Sequence, residues 1–418
     1  MDRKLLIEII FDQKNFNWDI NNLSRSESLF RKKSNQIEII SGIRRCGKST
    51  VLNEIRYKNK EKDYYLNFDD DRLLHFTVKD FQLLYELFIE LFGEQNTFYF
   101  DEIQNVEGWE RFVRRLHDYN KKVYLTGSNA TLLSSELGTR LTGRYISHEL
   151  FPFSFAEFLM FRNVQITNEK MFSTNGKAEI KRHFFKYMET GGFPEFLKTG
   201  NKDYLKFLYE SILYRDILVR NKLINEKEMR ELVLSLTSNL SKLITYNSLS
   251  KLIGVQNAAT VKKYLQYLEN SYLVFQVNKY ASSVKKQIYS PKKTYFIDNA
   301  LASVLGFRFS DDRRRYLENL VFVEMKRRGY EMYYHKGSKE CDFILRENNK
   351  IVSAVQVTLS LNHSKTKDRE ISGLIEAMEF YNLNSGIILT EDEEDIISAG
   401  GKEIKILPVW KWLLTNLF

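Results

Sequence analysis

Residues 42–50 read Gly42-Ile43-Arg44-Arg45-Cys46-Gly47-Lys48-Ser49-Thr50. Two glycines five apart, followed by Lys-Ser, form the spacing of a phosphate-binding loop. The flanks agree with that reading. Gln36–Ser41 is a β-branched run that predicts a buried strand, and Val51–Arg56 predicts a helix. Gly42 and Gly47 let the loop wrap with its N–H groups inward, and a helix N-terminus behind it completes an anion cradle. Lys48 is then placed to reach β- and γ-phosphates, and Ser49 to ligate Mg²⁺. Arg44, Arg45, Cys46 and Thr50 complete the loop, and both arginines are candidates to touch phosphate or a neighbouring subunit of a homo-oligomer.

A second signature follows about fifty residues on. Thr97-Phe-Tyr-Phe-Asp-Glu-Ile-Gln104 is an apolar run ending in Asp101-Glu102. A buried strand with this ending delivers one carboxylate, Asp101, to the Mg²⁺ shell. It leaves Glu102 to polarise an attacking water as general base. The next strand, Lys122–Thr126, ends in Gly127-Ser128-Asn129. Ser128 and Asn129 are both suited to orient that water, and the sequence does not choose between them. Arg140 and Arg144 follow, and either is a candidate arginine finger, the alternative being an ordinary ion pair.

Taken in order, Ile-Arg-Arg-Cys-Gly-Lys-Ser-Thr, Tyr-Phe-Asp-Glu-Ile-Gln-Asn-Val-Glu-Gly-Trp-Glu, Leu-Thr-Gly-Ser-Asn-Ala, Leu-Thr-Gly-Arg-Tyr and Phe-Pro-Phe-Ser-Phe-Ala-Glu-Phe resemble prokaryotic AAA+-type P-loop ATPases of the AAA_14 kind. In those proteins the ATPase core is joined to a C-terminal region labelled DUF4143. The resemblance implies a sheet ordered 5-1-4-3-2, and ATP with Mg²⁺ rather than GTP. The base-reading Asn/Thr-Lys-x-Asp motif of G proteins is not present, which agrees.

The chain has 418 residues, enough for two to four domains, and its 43% hydrophobic content is that of a globular protein. Cys46 and Cys341, the only cysteines, fit no metal spacing, so a reducing, cytoplasmic setting is expected. Leu5–Phe11 is too short, and too interrupted by Glu8, for a signal peptide. No apolar stretch is long enough to span a membrane, so no membrane partner is expected.

The net charge of +9 is concentrated. Between Leu240 and Lys293 nine lysines stand against one acid, Glu269, an excess that signals a partner. Within this block Thr245–Ile253 and Ala258–Glu269 read as helices joined by Gly254-Val255, and Leu273–Tyr280 reads as a strand. That is the outline of a winged helix-turn-helix. Lys262, Lys263, Lys279, Lys285 and Lys286 are the candidate DNA-phosphate contacts. The alternative is an internal packing module with solvated lysines.

Further on, Tyr316–Arg328 predicts a helix, and Tyr330–Tyr334, Cys341–Leu345, Ser353–Thr358 and Ser385–Thr390 predict strands. Glu318, Asp342 and Gln356 resemble the metal-dependent nuclease arrangement known as PD-(D/E)xK. Here Gln356 stands for an acid and Thr358 for the lysine, so the domain is expected to be nuclease-inactive. Lys339, Lys365 and Lys367 are the lysines that could substitute.

The expected fold class is α/β. It comprises a P-loop ASCE ATPase core (1–156), a helical lid (157–235), a winged helix-turn-helix (236–293) and a nuclease-like α/β domain (294–418). The expected function is ATP hydrolysis coupled to DNA binding or remodelling. The alternatives are a signalling switch read by a protein partner, or an ATP-gated nuclease.

Overall fold

The computed structural model describes residues 1–16, 23–26, 34–128, 141, 143–306 and 313–415. The chain divides into two compact units, Met1–Phe151 and Pro152–Phe418.

The first unit is a parallel sheet covered by helices. Its strands are β1 (Ile37–Ser41), β2 (Tyr65–Asn67), β3 (Thr97–Asp101), β4 (Lys122–Gly127) and β5 (Tyr145–Glu149). Their order is β2-β3-β4-β1-β5 and every pairing is parallel, which is the expected 5-1-4-3-2 sheet. β1 and β3 are buried along their whole length, as central strands of a parallel sheet must be.

The helix Phe81–Phe92 buries Phe81, Leu84, Leu87 and Phe88. It stops at Gly93, whose φ of 75° carries the chain out of the helix. The helix Trp109–Asp118 buries Trp109, Phe112, Val113 and Leu116, the i, i+3, i+4, i+7 stripe of a core-facing helix. Phe81 stacks on Phe112 with ring centroids 4.5 Å apart, so the two helices share one aromatic core with Phe98 and Phe100.

Register fixes what the strand ends present. Phe100 pairs with Leu125, so Asp101 and Thr126 leave the sheet side by side. Ser41 pairs with Gly127, which puts the loop after β1 next to both.

The second unit begins with helices, among them Phe155–Phe161, Thr174–Thr190 and Lys202–Ser211, the last running into a π-helical stretch, Ile212–Val219. Beyond the helix Glu226–Ser238 come β6 (Leu243–Ile244), helices Tyr246–Leu252 and Ala258–Asn270, β7 (Val274–Lys279) and β8 (Lys292–Phe296). The helix Arg313–Arg327 leads to β9 (Glu331–Lys336), β10 (Glu340–Glu347) and β11 (Lys350–Val357). The helix Ser364–Phe380 precedes β12 (Ser385–Thr390), β13 (Asp395–Ala399) and β14 (Lys402–Pro408).

The β7–β8 hairpin does not stand alone. β7 pairs in parallel with β9 through Asn278–Tyr333 and Lys279–Tyr334. One sheet therefore runs β13-β14-β12-β11-β10-β9-β7-β8-β6. The boundary expected at 293/294 falls inside β8 of this sheet.

Asp298 caps the helix Asn299–Leu305. Its carboxylate accepts from the N–H groups of Ala300 and Leu301 at the start of the helix Asn299–Leu305. It also accepts from Gly192 N–H at 2.7 Å, tying the turn Gly191-Gly192-Phe193-Pro194 to that helix. Burial pushes this carboxyl up to about 6 against the pull of those backbone donors.

Candidate functional site

The loop between β1 and the helix Lys48–Lys58 depends on its glycines. A Cβ on Gly42 would stand 2.1 Å from the Leu150 carbonyl oxygen, and Gly47 has a φ of 103°. No side chain fits the first, and the second is open only to glycine without strain. Lys48 opens the helix with its side chain buried. Its ammonium donates to the loop's own Ile43 carbonyl at 3.2 Å and lies 3.7 Å from Glu102 Oε1. An ammonium folded back on its loop beside an acid is one that a phosphate can take over.

Asp101 is fully buried at the tip of β3. One carboxylate oxygen accepts from the Thr126 hydroxyl. The other, Oδ2, is buried without a hydrogen-bond partner. Burial, and then the charge on Glu102, push the Asp101 carboxyl up to about 6, while Thr126, Ser49 and Lys48 oppose the shift. An orphaned buried carboxylate oxygen close to a serine is a donor set suited to a hard divalent cation that keeps most of its waters.

Glu102 has a φ of 50°, a left-handed backbone that costs a non-glycine residue about 1 kcal/mol. Its N–H donates to Thr126 Oγ1 at 2.9 Å, which holds the turn. The Glu102 carboxylate accepts from the Gln104 amide. That amide also donates to the buried Ser128 hydroxyl at 3.4 Å. Ser128 is thus linked to Glu102 through Gln104.

The remaining loop residues divide by burial. Arg44 is half-buried and Arg45 exposed. Cys46 is buried, donating from Sγ to the Leu150 carbonyl at 3.3 Å, and burial raises its thiol pKa. Ser49 and Thr50 are half-buried on the first helical turn. Asn129 and Arg140 lie outside the described residues. Arg144 stands just before β5, where its carbonyl accepts from Ile37 N–H at the start of β1. Its guanidinium lies 3.4 Å from Asp118. That is the end of the parallel sheet where the strands begin, and the phosphate loop is at the end where β1 stops, so within one chain Arg144 is not brought to it.

Two contributors carry no sequence signal of their own. Thr126 serves Asp101 and Glu102 with a single hydroxyl. The only available cue was a hydroxyl residue at the tip of the strand paired with β3. Arg25 is the other: it donates to the Cys46 carbonyl at 2.9 Å and to the Phe151 carbonyl at 2.8 Å, holding the loop's backbone from outside. Glu54, on the helix after the loop, accepts from the N–H groups of Arg25 and Ser26 at 3.0 Å.

In the second unit, Glu318, Asp342 and Gln356 do come together. Asp342 N–H donates to Gln356 Oε1 at 3.0 Å, and Val357 N–H donates to Asp342 Oδ2 at 3.0 Å. The Gln356 amide donates to buried Glu370. Burial and Asp342 raise the Glu318 carboxyl to about 6. Asp342 is held below its ordinary value, since Lys293 and Arg314 outweigh its burial. The lysine at this cluster is Lys293, none of the three that the sequence nominated.

The basic segment is only partly at the surface. Lys262, Lys263, Lys285 and Lys286 are exposed and Lys279 is half-buried. Lys292 and Lys293 are buried in β8.

Comparison with known proteins agrees with the first unit's architecture. The family described as AAA domain (AAA_14) matches residues 34–159. Residues 181–312 match a domain of unknown function, DUF8612, so the DUF4143 label remains a resemblance. The chain is 34% identical to the uncharacterized protein MJ1544 of Methanocaldococcus jannaschii, over 99% of this chain and 96% of that protein. It is 31% identical to an uncharacterized protein of Haemophilus influenzae, over 92% and 95%. Among solved structures it is similar to the Aeropyrum pernix ORC1 protein in complex with DNA, at 10% identity and a TM-score of 0.29, covering 72% of this chain and 90% of that one. This chain belongs to the same family as the Methanocaldococcus and Haemophilus proteins, and its first unit carries a P-loop AAA domain.

Proposed function

We propose that the protein is an AAA+-type ATPase that hydrolyses Mg²⁺-bound ATP, and that its cycle is coupled to DNA binding. The observation that carries the hydrolytic reading is the Asp101–Thr126–Glu102 arrangement beside Lys48. The loop amides and Lys48 would hold the triphosphate, Ser49 and Asp101 would hold Mg²⁺, and Glu102 would take the proton of the attacking water. Ser128 would keep Glu102 aimed through Gln104, with Asn129 and an arginine finger at Arg140 as further expectations. Arg144 is kept as a finger only between copies of the chain, since its own phosphate loop lies at the opposite end of the strands.

The DNA reading rests on exposed lysines. The helix Ala258–Asn270, with Lys262 and Lys263 outward, follows a glycine turn and precedes a β-hairpin, as a winged helix-turn-helix requires. The parallel pairing of β7 with β9 favours a second reading, in which this module is scaffold and a protein partner reads the nucleotide state. Two free, buried cysteines and the lack, among the described residues, of a helix long and apolar enough to cross a membrane are compatible with the expected cytoplasmic setting.

The test is ATP turnover with and without duplex DNA. Lys48→Ala is expected to lose nucleotide binding and hydrolysis. Glu102→Gln is expected to keep binding and lose at least about a hundredfold in turnover. Normal turnover by Glu102→Gln would remove the general-base assignment. Turnover indifferent to DNA, with no DNA retained at low salt, would leave only the partner-switch reading.

A further inference from the structure

The nuclease-like cluster has the shape of a metal site but already contains a cation. Lys293 reaches in from β8, and its Nζ lies 2.7 Å from Asp342 Oδ1, 3.0 Å from Glu340 Oε1 and 3.1 Å from Glu318 Oε1. Its side chain is 2% exposed. Tyr295, two residues along the same strand, donates to Glu318 at 2.8 Å. Arg314 adds a second positive group, 3.7 Å from Asp342 and 3.6 Å from Glu370.

A divalent ion shared by Glu318 and Asp342 would need the space that this ammonium fills. At about 3 Å two such cations repel strongly in a buried site. A lysine that assists an attacking water faces the substrate, whereas this one has its donors spent on three carboxylates. The donor set is also poor for Mg²⁺, because Gln356 offers a neutral amide oxygen, already accepting from the Asp342 N–H, where a carboxylate would serve a hard divalent cation. The residues therefore do not fit a resident metal.

We propose that Lys293 is a tethered cation standing in the metal's place. It closes the cluster to divalent ions and locks β8, and with it the hairpin of the basic module, to the helix Arg313–Arg327 and to β10. The burial cost of the carboxylates is met from within the chain, since an unpaired buried charge is strongly destabilising. The inference is independent of the ATPase reading, because no residue of the phosphate loop enters it.

The test uses the full chain without nucleotide and Mn²⁺ as the probe, with bound ion counted by electron paramagnetic resonance. Wild-type protein is expected to show no Mn²⁺ site tighter than about 1 mM that is lost in Glu318→Gln. Lys293→Ala empties the place of the ammonium and is expected to gain one Mn²⁺ per chain, lost again when combined with Asp342→Asn. Lys293→Arg keeps the charge and is expected to stay metal-free. A Glu318-dependent Mn²⁺ site in wild-type protein overturns the assignment. So does a folded Lys293→Ala protein that takes no Mn²⁺. Should Lys293→Ala fail to fold, the wild-type titration alone decides.

Discussion

Thr126→Val is the sharpest perturbation of the proposed hydrolytic site, because one hydroxyl does two jobs. It donates to the buried Asp101 carboxylate and accepts from Glu102 N–H at 2.9 Å. Valine keeps the branched shape and removes both bonds. The bond to a charged carboxylate is worth about 1.5–3 kcal/mol. The backbone bond holds Glu102 at its φ of 50°, a strained conformation by about 1 kcal/mol that then has reason to relax. Either loss falls on the groups proposed for metal and base, and neither touches the loop amides or Lys48. A deficit of about 1.5–3 kcal/mol corresponds to a ten- to hundredfold fall in turnover. ATP affinity is expected to change by less than about threefold, since the phosphate contacts are intact. The assay is steady-state ATP turnover beside equilibrium binding of a fluorescent nucleotide, with Thr126→Ser as the variant that keeps the hydroxyl and most of the rate. Turnover of Thr126→Val within twofold of wild type, or an equal loss in Thr126→Ser, would refute the role given to this hydroxyl.

Asp101→Asn is expected to stabilise the nucleotide- and metal-free protein while abolishing turnover. The Asp101 carboxyl sits at about 6, raised from 3.8 by burial, so the folded chain holds the proton more tightly than the unfolded one. Its penalty on stability therefore grows as pH rises from about 4 to 6 and is full above that, up to about 3 kcal/mol; a lower melting midpoint for Asp101→Asn at pH 7.5 would contradict this. Asp298→Ala strands the N–H groups of Gly192, Ala300 and Leu301. It should cost about 2 kcal/mol in urea unfolding at about pH 4 and less at neutral pH, where the buried carboxylate, its pKa raised to about 6, carries its own penalty; a loss under about 1 kcal/mol at about pH 4 would show that water takes over these donors. Lys262→Glu with Lys263→Glu should weaken DNA binding alike for unrelated sequences and flatten the log–log salt slope by about 2; an unchanged slope assigns those lysines to solvent.

The parts of the site that the sequence displayed are those in which function and chain continuity coincide. Gly42–Thr50 is one uninterrupted turn between a strand and a helix, and Asp101-Glu102 is the end of one strand, so adjacency in sequence is adjacency in space. Thr126 becomes functional only through the pairing of Phe100 with Leu125, and a register between strands separated by a helix leaves no local trace. The polar residues nominated there, Ser128 and Asn129, follow the strand, whereas the residue that touches Asp101 is still within it. Arg25 works through two backbone carbonyls, which have no side-chain identity to read. β13 and β14 were not anticipated, because charged and apolar residues intermix along an outer pair whose burial is only partial.

Lys292 and Lys293 show how a charge count is turned by the fold. In sequence they are two of nine lysines that stand against Glu269 alone and invite a phosphate partner. In the fold they lie on β8, buried at all five positions, because β8 is flanked by β7 and β6 within a sheet. Lys293 then meets carboxylates from residues 318, 340 and 342, so its charge is balanced far along the chain. The surplus left for a polyanion is that of Lys242, Lys251, Lys262, Lys263, Lys285 and Lys286, which face water. The same strand that removes two lysines from the surface fastens the remaining ones to a rigid sheet. A basic helix held in this way keeps its charges in fixed register, the condition under which several weak phosphate contacts add to a usable affinity.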